Sequence, residues 1–393
     1  MKYFLASFFL GLLLLLNTSA ATAGNGSLYS RFGVGDIFYL PNSAAGGMGL
    51  IGIAMPSPLY INLANPALLS DIRDTRIAGN FFYRGYAAST AFGSSYQVLA
   101  GFNGVGLAIP IWRTTFSTGL YPYTNTDYTQ FETGTYTTPN AGDLSYTFEY
   151  DGTGSINQVP LSLGVSVFAD SLSGSLRGGG SVNFLFGNSE RTTENTYGSG
   201  TTFSSSTLSE LTRMYGTSVT LGTAYTSRRG VLGKSDQFSI GLTYTTPATL
   251  AAERETTIET VGVPIDTITT EKNGQVTIPE SYGIGVSYSG SELYTVGADV
   301  TARNWQNFRY FNDDVSYRRN ALRVSLGGQW QPSRELQAGF FSRVTYRFGV
   351  YSEQTYLRIN GNDIDELGLT GGISIPLFDA FGRTESRLDI NLG

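Results

Sequence analysis

The sequence predicts an all-β protein, a transmembrane antiparallel β-barrel, and three observations carry that reading. First, strand-length segments alternate between an apolar face and a small or polar one. From Tyr282 onward, Tyr282, Ile284, Val286 and Tyr288 share one side, and Gly283, Gly285 and Ser287 the other. Successive strand residues point to opposite faces, so such a segment carries one lipid-compatible and one polar face. Second, the chain opens with an export signal. Third, only 14% of its residues are charged, while aromatics reach 13% and Gly accounts for 49 of 393. A soluble domain averages about 25% charged residues. A barrel in lipid instead needs an apolar band, aromatic girdles and small polar residues facing its lumen.

The elements follow in chain order. Residues 1–23 read as a signal peptide: Lys2, an apolar run from Tyr3 to Leu16, then Ala21-Thr22-Ala23, which fits small-x-small cleavage before Gly24. The apolar run is shorter than the roughly 20 residues a spanning helix needs. No other segment approaches 18 consecutive apolar residues, which excludes a helical membrane protein. Residues 24–74 are rich in Gly, Pro, Asn and Ala and show no sustained period of two. From Thr75 the barrel segment, 75–393, reads as strands at 75–86, 104–112, 114–124, 143–169 (interrupted), 175–190, 211–227, 236–248, 277–289, 292–304, 321–331, 335–349, 367–376 and 385–393.

The connections alternate in length. Short ones occur at Trp112-Arg113, 169–175, 228–235, 289–292, 332–334 and 377–384, and long ones at 87–103, 125–142, 191–210, 249–276, 305–320 and 350–366. Outer-membrane barrels have short periplasmic turns and long extracellular loops. Gly152 and Gly154 lie within 143–169, and splitting the segment there would break the alternation. They read as a Gly-rich kink or bulge inside one strand. The count is then thirteen, with the last strand directed outward. Bacterial single-chain barrels have even numbers, so a final strand is expected to be missing. The end, Asn391-Leu392-Gly393, also lacks a terminal aromatic.

An Arg on the lipid face near the bilayer midplane would cost about 2–4 kcal/mol, so the charged face of each strand is the lumenal one. Arg177, Asp299, Arg323, Arg343 and Arg347 are the lumen candidates. Two readings stand for them: mutual pairing that fills the interior, or a part in a transport path. No His and no Cys occur in the sequence. That removes Ser-His-Asp and Cys-His catalysis, the usual zinc sites and haem ligation, so no enzyme activity, metal site or cofactor is expected. Asp363 and Asp365 weakly suggest a calcium loop, but the twelve-residue pattern is missing, and they read as a solvated loop. The net charge of −6 argues against nucleic acid.

Three groups of residues resemble the FadL/TodX-type family of outer-membrane transporters for hydrophobic compounds, especially its divergent Bacteroidetes-like members. The first is Ser27-Leu28-Tyr29-Ser30-Arg31-Phe32-Gly33-Val34-Gly35-Asp36, followed by Gly46-Gly47-Met48-Gly49 and Asn62-Leu63-Ala64-Asn65-Pro66-Ala67. The second is Leu107 to Trp112 leading to Gly119-Leu120-Tyr121-Pro122-Tyr123. The third is Ile278-Pro279, then Asp299 and Trp305. The resemblance implies about fourteen strands and an N-terminal hatch in the lumen, which residues 24–74 match in place and character. Gly46, Gly47, Gly49, Asn65, Pro66 and Ala67 become hatch or gate candidates. Gly152 and Gly154 become candidates for the strand bulge that opens a lateral route into lipid.

The resemblance implies passive, hatch-gated uptake of hydrophobic or amphipathic small molecules across a bacterial outer membrane. Tyr121, Tyr123, Tyr128, Phe131 and Tyr136 would be first contacts in extracellular loops. The partners implied are membrane lipid, such a substrate, and the outer-membrane assembly machinery. The rival is an interaction component of a protein secretion system, like the PorV-type members of that group. A sealed lumen would favour this rival, and a greasy pocket the transporter.

Overall fold

A computed structural model describes residues 27–39, 42–90, 93–138, 142–170, 174–198, 204–227, 236–260, 263–291, 293–313, 318–335, 337–377 and 386–393. The expected signal peptide, residues 1–23, lies outside them. The protein is a β-barrel, and its described residues form one sheet of seventeen strands that pair antiparallel. Among the described residues no helix is long and apolar enough to cross a membrane.

The strands are β1 (Asp36–Ile37), β2 (Arg76–Thr90), β3 (Gly93–Ile111), β4 (Thr114–Thr138), β5 (Gly142–Asp170), β6 (Gly174–Tyr197), β7 (Ser206–Ser227), β8 (Gln237–Thr245) and β9 (Ala248–Thr260). They continue as β10 (Val263–Ile278), β11 (Ser281–Gly290), β12 (Tyr294–Arg303), β13 (Arg309–Tyr310), β14 (Ala321–Trp330), β15 (Thr345–Ile359), β16 (Asn362–Pro376) and β17 (Arg387–Leu392). Two of them, β1 and β13, are only two residues long. Prolines divide two longer courses. Pro247 separates β8 from β9, both of which pair with β7, and Pro279 separates β10 from β11. Pro has no N–H to give a ladder, so the sheet breaks where the two prolines fall side by side.

The faces sort as the alternation requires. On β11, Tyr282, Ile284 and Val286 are exposed while Ser287 is buried. Leu322, Val324 and Leu326 of β14 point out, and Arg323 and Ser325 point in. Aromatic side chains gather at both ends of this apolar band. Tyr244 meets Tyr282 at one end, and Trp330 meets Tyr346 at the other, with ring centroids 5.1 and 5.9 Å apart. Such girdles sit at the two membrane interfaces of outer-membrane barrels.

The connections depart from the sequence reading. The described residues of 125–142, 191–210, 249–276 and 350–366 continue the strands as paired ribbons. The β4–β5 ladder runs to Thr138 and Gly142, and β15–β16 closes at Ile359 and Asn362. Asn360 and Gly361 both have positive φ (50° and 81°), as a two-residue type I′ hairpin requires. Polar, Thr-rich strands leave no hydrophobic alternation to read, yet their backbones pair along most of their length, with register shifts in β9–β10 and β15–β16.

The interval 335–349 is a second correction. β15 begins at Thr345, and Phe340–Arg343 form a one-turn helix at the short-turn end. The adjacent aromatics Phe340 and Phe341 are both exposed there, which a strand facing two environments would not allow.

Candidate functional site

The N-terminal segment is built from short capped turns. The Asn42 side chain accepts the amide of Ala45 and opens a 3-10 turn at Ser43–Gly47. The Asn65 side chain accepts the amide of Ala67 and opens the turn Pro66–Asp71, with Pro at its first position. Asn is a favoured N-cap, and Pro at N1 lacks only an N–H that would be unpaired anyway. This second turn runs directly into β2. Asn65 also reaches further: its Nδ2 donates to Ile53 O at 2.8 Å and to Thr223 O of β7 at 3.1 Å. With Pro66 and Ala67 it is fully buried.

The segment presses its backbone onto a belt of glycines. Gly164 of β5 pairs with Gly179 of β6, which pairs with Gly222 of β7. Further round, Gly297 of β12 pairs with Gly327 of β14, and that with Gly349 of β15. A methyl group added at Gly179 would overlap Pro66 and Ala67. One at Gly222 would overlap Asn65, one at Gly327 would overlap Met48, and one at Gly349 would overlap Met48 and Gly49. Gly46 and Gly47 lie against Asn391 of β17. Gly49, at φ 62°, donates its amide to Thr370 Oγ1 at 2.7 Å. The wall needs Gly here because another backbone occupies the space of a side chain.

The buried charges fasten the same segment. Arg177 pairs with Asp71 at 2.8 Å. Arg347 pairs with Asp389 at 2.7 Å, and Tyr60 donates to the same carboxylate at 3.1 Å. Arg323 pairs with Glu353, whose other oxygen accepts from Tyr39 at 3.1 Å, while the guanidinium lies 3.7 Å from the Tyr39 ring centre. Asp299 pairs with no guanidinium among the described residues; its Oδ2 accepts the amides of Gly52 and Ile53 at 2.6 and 2.9 Å. Arg177, Asp299, Arg323 and Arg347 are therefore brought together around residues 39–71. Arg343 ends the one-turn helix at the short-turn end, where it lines a cavity together with Arg177, Arg347 and residues 56–60.

Towards the long-ribbon end a second layer fills the interior. Trp305 stacks on Tyr356 at 4.1 Å between ring centres, with Phe308 at 5.3 Å from Trp305, and both Trp305 and Phe308 are fully buried. Tyr356 Oη donates to Phe32 O and Gly35 O, so this layer too holds the N-terminal segment.

The wall itself divides between β3 and β4. Among the described residues their ladder runs from Ile111–Thr114 to Val105–Leu120 and stops. Beyond it the β4 edge pairs with β1, Ile37 opposite Thr124 and Asp36 opposite Asn125, and Phe38 N donates to Tyr123 O at 3.0 Å. Gly104 takes φ 113° at the point of divergence, and the Tyr121 ring lies across Gly104, Gly106 and Gly119. The Phe38 ring meets Phe82 of β2 at 5.4 Å, and Arg84 lies over both rings.

This relocates the predicted strand irregularity. Gly152 and Gly154 lie within β5, whose ladder to β6 runs unbroken past them. Gly154 has φ 149°, and the Tyr128 ring covers Gly152. The register shift nearest them falls in β4, between Pro122 and Thr124. The five aromatics assigned to a loop are all on β4. Tyr121 and Tyr128 are buried, Tyr123 packs against the inner cluster, and Phe131 and Tyr136 are exposed.

Sequence reasoning missed Tyr39, Tyr60, Glu353 and Asp389, the groups that answer the lumenal arginines. Asp389 alternates with Leu388 and Ile390, and that signal was available. Asp363 and Asp365, the weak calcium reading, pair with Arg358 and Arg319.

A protein-family model described as BamG matches residues 2–393. No curated protein matches the chain. Among solved structures, the CymD monoaromatic hydrocarbon channel is similar at 16% identity and a TM-score of 0.54, over 87% of this chain and 90% of that one. The P. putida toluene transporter TodX is similar at 13% identity and 0.53, over 87% and 89%. A Pseudomonas aeruginosa FadL homologue reaches 14% identity and 0.54, over 90% and 89%. At these identities what is shared is the fold, a FadL-type outer-membrane β-barrel.

Proposed function

Since this chain belongs to the BamG family and folds as a FadL-type outer-membrane barrel, we propose that it passes hydrophobic or amphipathic small molecules across that membrane passively, gated by its N-terminal segment. The observation that carries this reading is the divided wall between β3 and β4, closed by β1. A strand edge facing lipid must be paired, because unpaired backbone groups in hydrocarbon cost several kcal/mol each. β1 supplies that pairing from inside the barrel, so residues 36–38 act as a removable stave beside the aromatic pair Phe38–Phe82. Substrate enters or leaves laterally when the stave withdraws. The hatch spans residues 24–74 and the barrel 75–393. The likeness to a monoaromatic hydrocarbon channel and a toluene transporter supports the substrate class.

The test uses the absence of native Cys. Ile37 and Thr124 are direct partners across an antiparallel pair, a spacing a disulfide can bridge. The double variant Ile37→Cys with Thr124→Cys, reconstituted in liposomes, should lose uptake of toluene or decanoate when oxidised and regain it when reduced. Unchanged uptake in the oxidised state refutes the lateral gate.

A second reading is favoured by the doubly filled interior: the barrel serves as a membrane-embedded interaction component of outer-membrane assembly or protein secretion. It requires that the oxidised variant co-purify undiminished with assembly-machinery proteins from native membranes, and that uptake be absent in every variant.

A further inference from the structure

The lipid face of the barrel carries a recess of about 580 Å³ on β12, β14 and β15, near the short-turn end. Two rows of outward residues frame it, in register across the three strands. Tyr294, Trp330 and Tyr346 form the row nearer the rim, and Val296, Gly328 and Phe348 the next one. Gly328 is the floor, while Val296, Trp330 and Phe348 stand exposed around it. The backbone conformation does not demand a glycine there, since Gly328 is not among the residues with positive φ. The plug does not demand it either. A Cβ at Gly328 would come no nearer than 3.0 Å to Thr295 O, its closest non-neighbouring atom, whereas one at Gly327 or Gly349 would overlap the N-terminal segment. The glycine belt therefore accounts for Gly327 and Gly349 and leaves Gly328 open to something outside the wall.

The occupant must be hydrocarbon, because the side walls are apolar and the floor's backbone groups belong to the ladders with β12 and β15. Its length points to a lipid chain. From Trp330 to Leu326, which ends the recess on β14, is a rise of about 13 Å along the strand. That lies within one leaflet, half of a hydrocarbon core roughly 30 Å thick. Further along β14 the outward side chains of Val324 and Leu322 occupy the face. A spanning segment of a partner protein would need a groove through the full thickness, and one acyl chain does not. The rim end is fitted for the boundary with headgroups, which at short turns is the periplasmic one. Tyr346 Oη donates to Phe341 O at 3.1 Å, fixing the one-turn helix beside Trp330 and Tyr346 with Phe340 and Phe341 exposed. We infer that this recess binds one acyl chain of a periplasmic-leaflet phospholipid, laid over Gly328 between Val296 and Phe348 with its glycerol end beside Trp330 and Tyr346. The inference does not rest on the transport reading, since the site is outside the wall and keeps its shape whether or not β1 withdraws.

The test is native mass spectrometry of the full chain, released from mild detergent after incubation with dioleoyl phosphatidylethanolamine. One retained phospholipid is expected on the native chain. Gly328→Leu fills the floor and Phe348→Ala removes a wall, and each should lower the retained fraction at least tenfold. Gly180→Leu is the control: it adds the same side chain at an outward position of β6, where a Cβ meets nothing closer than 3.7 Å, and should retain lipid as the native chain does. Heat-modifiable gel mobility checks that each variant is a folded barrel. The orientation is read by fluorescence in vesicles. In Trp112→Phe the remaining tryptophans are Trp330, which faces lipid, and Trp305, which is buried inside. Phospholipid brominated near its glycerol end should quench Trp330 more than phospholipid brominated near its methyl end, and the reverse order overturns the placement. The inference is overturned by a native chain without retained phospholipid, by undiminished retention in folded Gly328→Leu and Phe348→Ala, or by an equal loss in Gly180→Leu. A co-purifying polypeptide that Gly328→Leu alone releases would overturn it too, by making the recess a protein interface.

Discussion

The carboxylate of Asp299 holds the amide of Gly52 at 2.6 Å, joining the middle of β12 to the middle of the hatch. The same oxygen takes the Ile53 amide at 2.9 Å. Among the described residues no guanidinium shares this carboxylate, and the two backbone amides are its partners. Replacing Asp299 by Ala leaves two buried donors unpaired, at about 1–3 kcal/mol each. The barrel should still form while residues 49–55 loosen. Hydrogen exchange in that stretch should accelerate at least tenfold, with the strand amides unchanged; uniform protection throughout would refute this anchoring role.

The glycine belt makes a steric prediction. Gly349→Val places a branched side chain where Met48 and Gly49 run, and backbone cannot step aside as a flexible side chain can. The segment should be displaced and conductance in planar bilayers should rise. Gly79→Val, on β2, meets nothing within 4 Å and is the control. Equal conductance of the two variants would show that the belt does not hold the plug.

Arg323 and Glu353 form a buried pair completed by Tyr39. Glu353→Gln strands a buried guanidinium and should cost about 3–5 kcal/mol, whereas replacing both partners with apolar groups of similar size should cost far less. Urea titration of gel-shift mobility, run as a double-mutant cycle with Arg323→Met and Glu353→Leu, reads the coupling. Additive losses would count against the pair.

The stave has a built-in acid dependence. Packing around Asp36 pushes its carboxyl up to about 7 from an ordinary 3.8, with Ser27 and Arg84 only partly offsetting the desolvation. The docked segment therefore holds a proton that a detached one has lost between those values. Docking is strongest near pH 4, weakens as pH rises towards 7, and is weakest above it. Protease cleavage within residues 27–39 should be faster at pH 8 than at pH 5. Asp36→Asn should flatten that difference; a difference that persists in the variant points to another group.

The barrel was legible because lipid imposes one rule on every spanning residue. Ile284, Val286, Leu322 and Val324 could face nothing else, and the strands around them fell where the alternation put them. Arg177, Asp299, Arg323 and Arg347 were legible as inward for the same reason. Their partners were less so. Glu353 sits on a polar stretch with no alternation, and Tyr39 and Tyr60 come from a segment whose conformation is set by the wall. The β3–β4 division was hidden because pairing is a relation between segments. Gly104, Gly106 and Gly119 were visible as small residues, but their common cause, the Tyr121 ring, lies across two strands, reaching from β4 over Gly104 and Gly106 of β3. Gly152 and Gly154 stood out because a turn there would have broken the alternation of connections, and the ladder to β6 passes through them.

To an empty barrel, Gly179, Gly222, Gly327 and Gly349 would be pure loss, each weakening its strand by roughly 0.5–1 kcal/mol relative to Ala. Their positions are intelligible only from residues 48–67, well over a hundred positions earlier in the chain. The wall thus carries an imprint of its contents, as a casting carries that of its mould. Loss of the plug would release those sites to accept side chains, so the composition of the inner face records whether a barrel of this kind is still occupied.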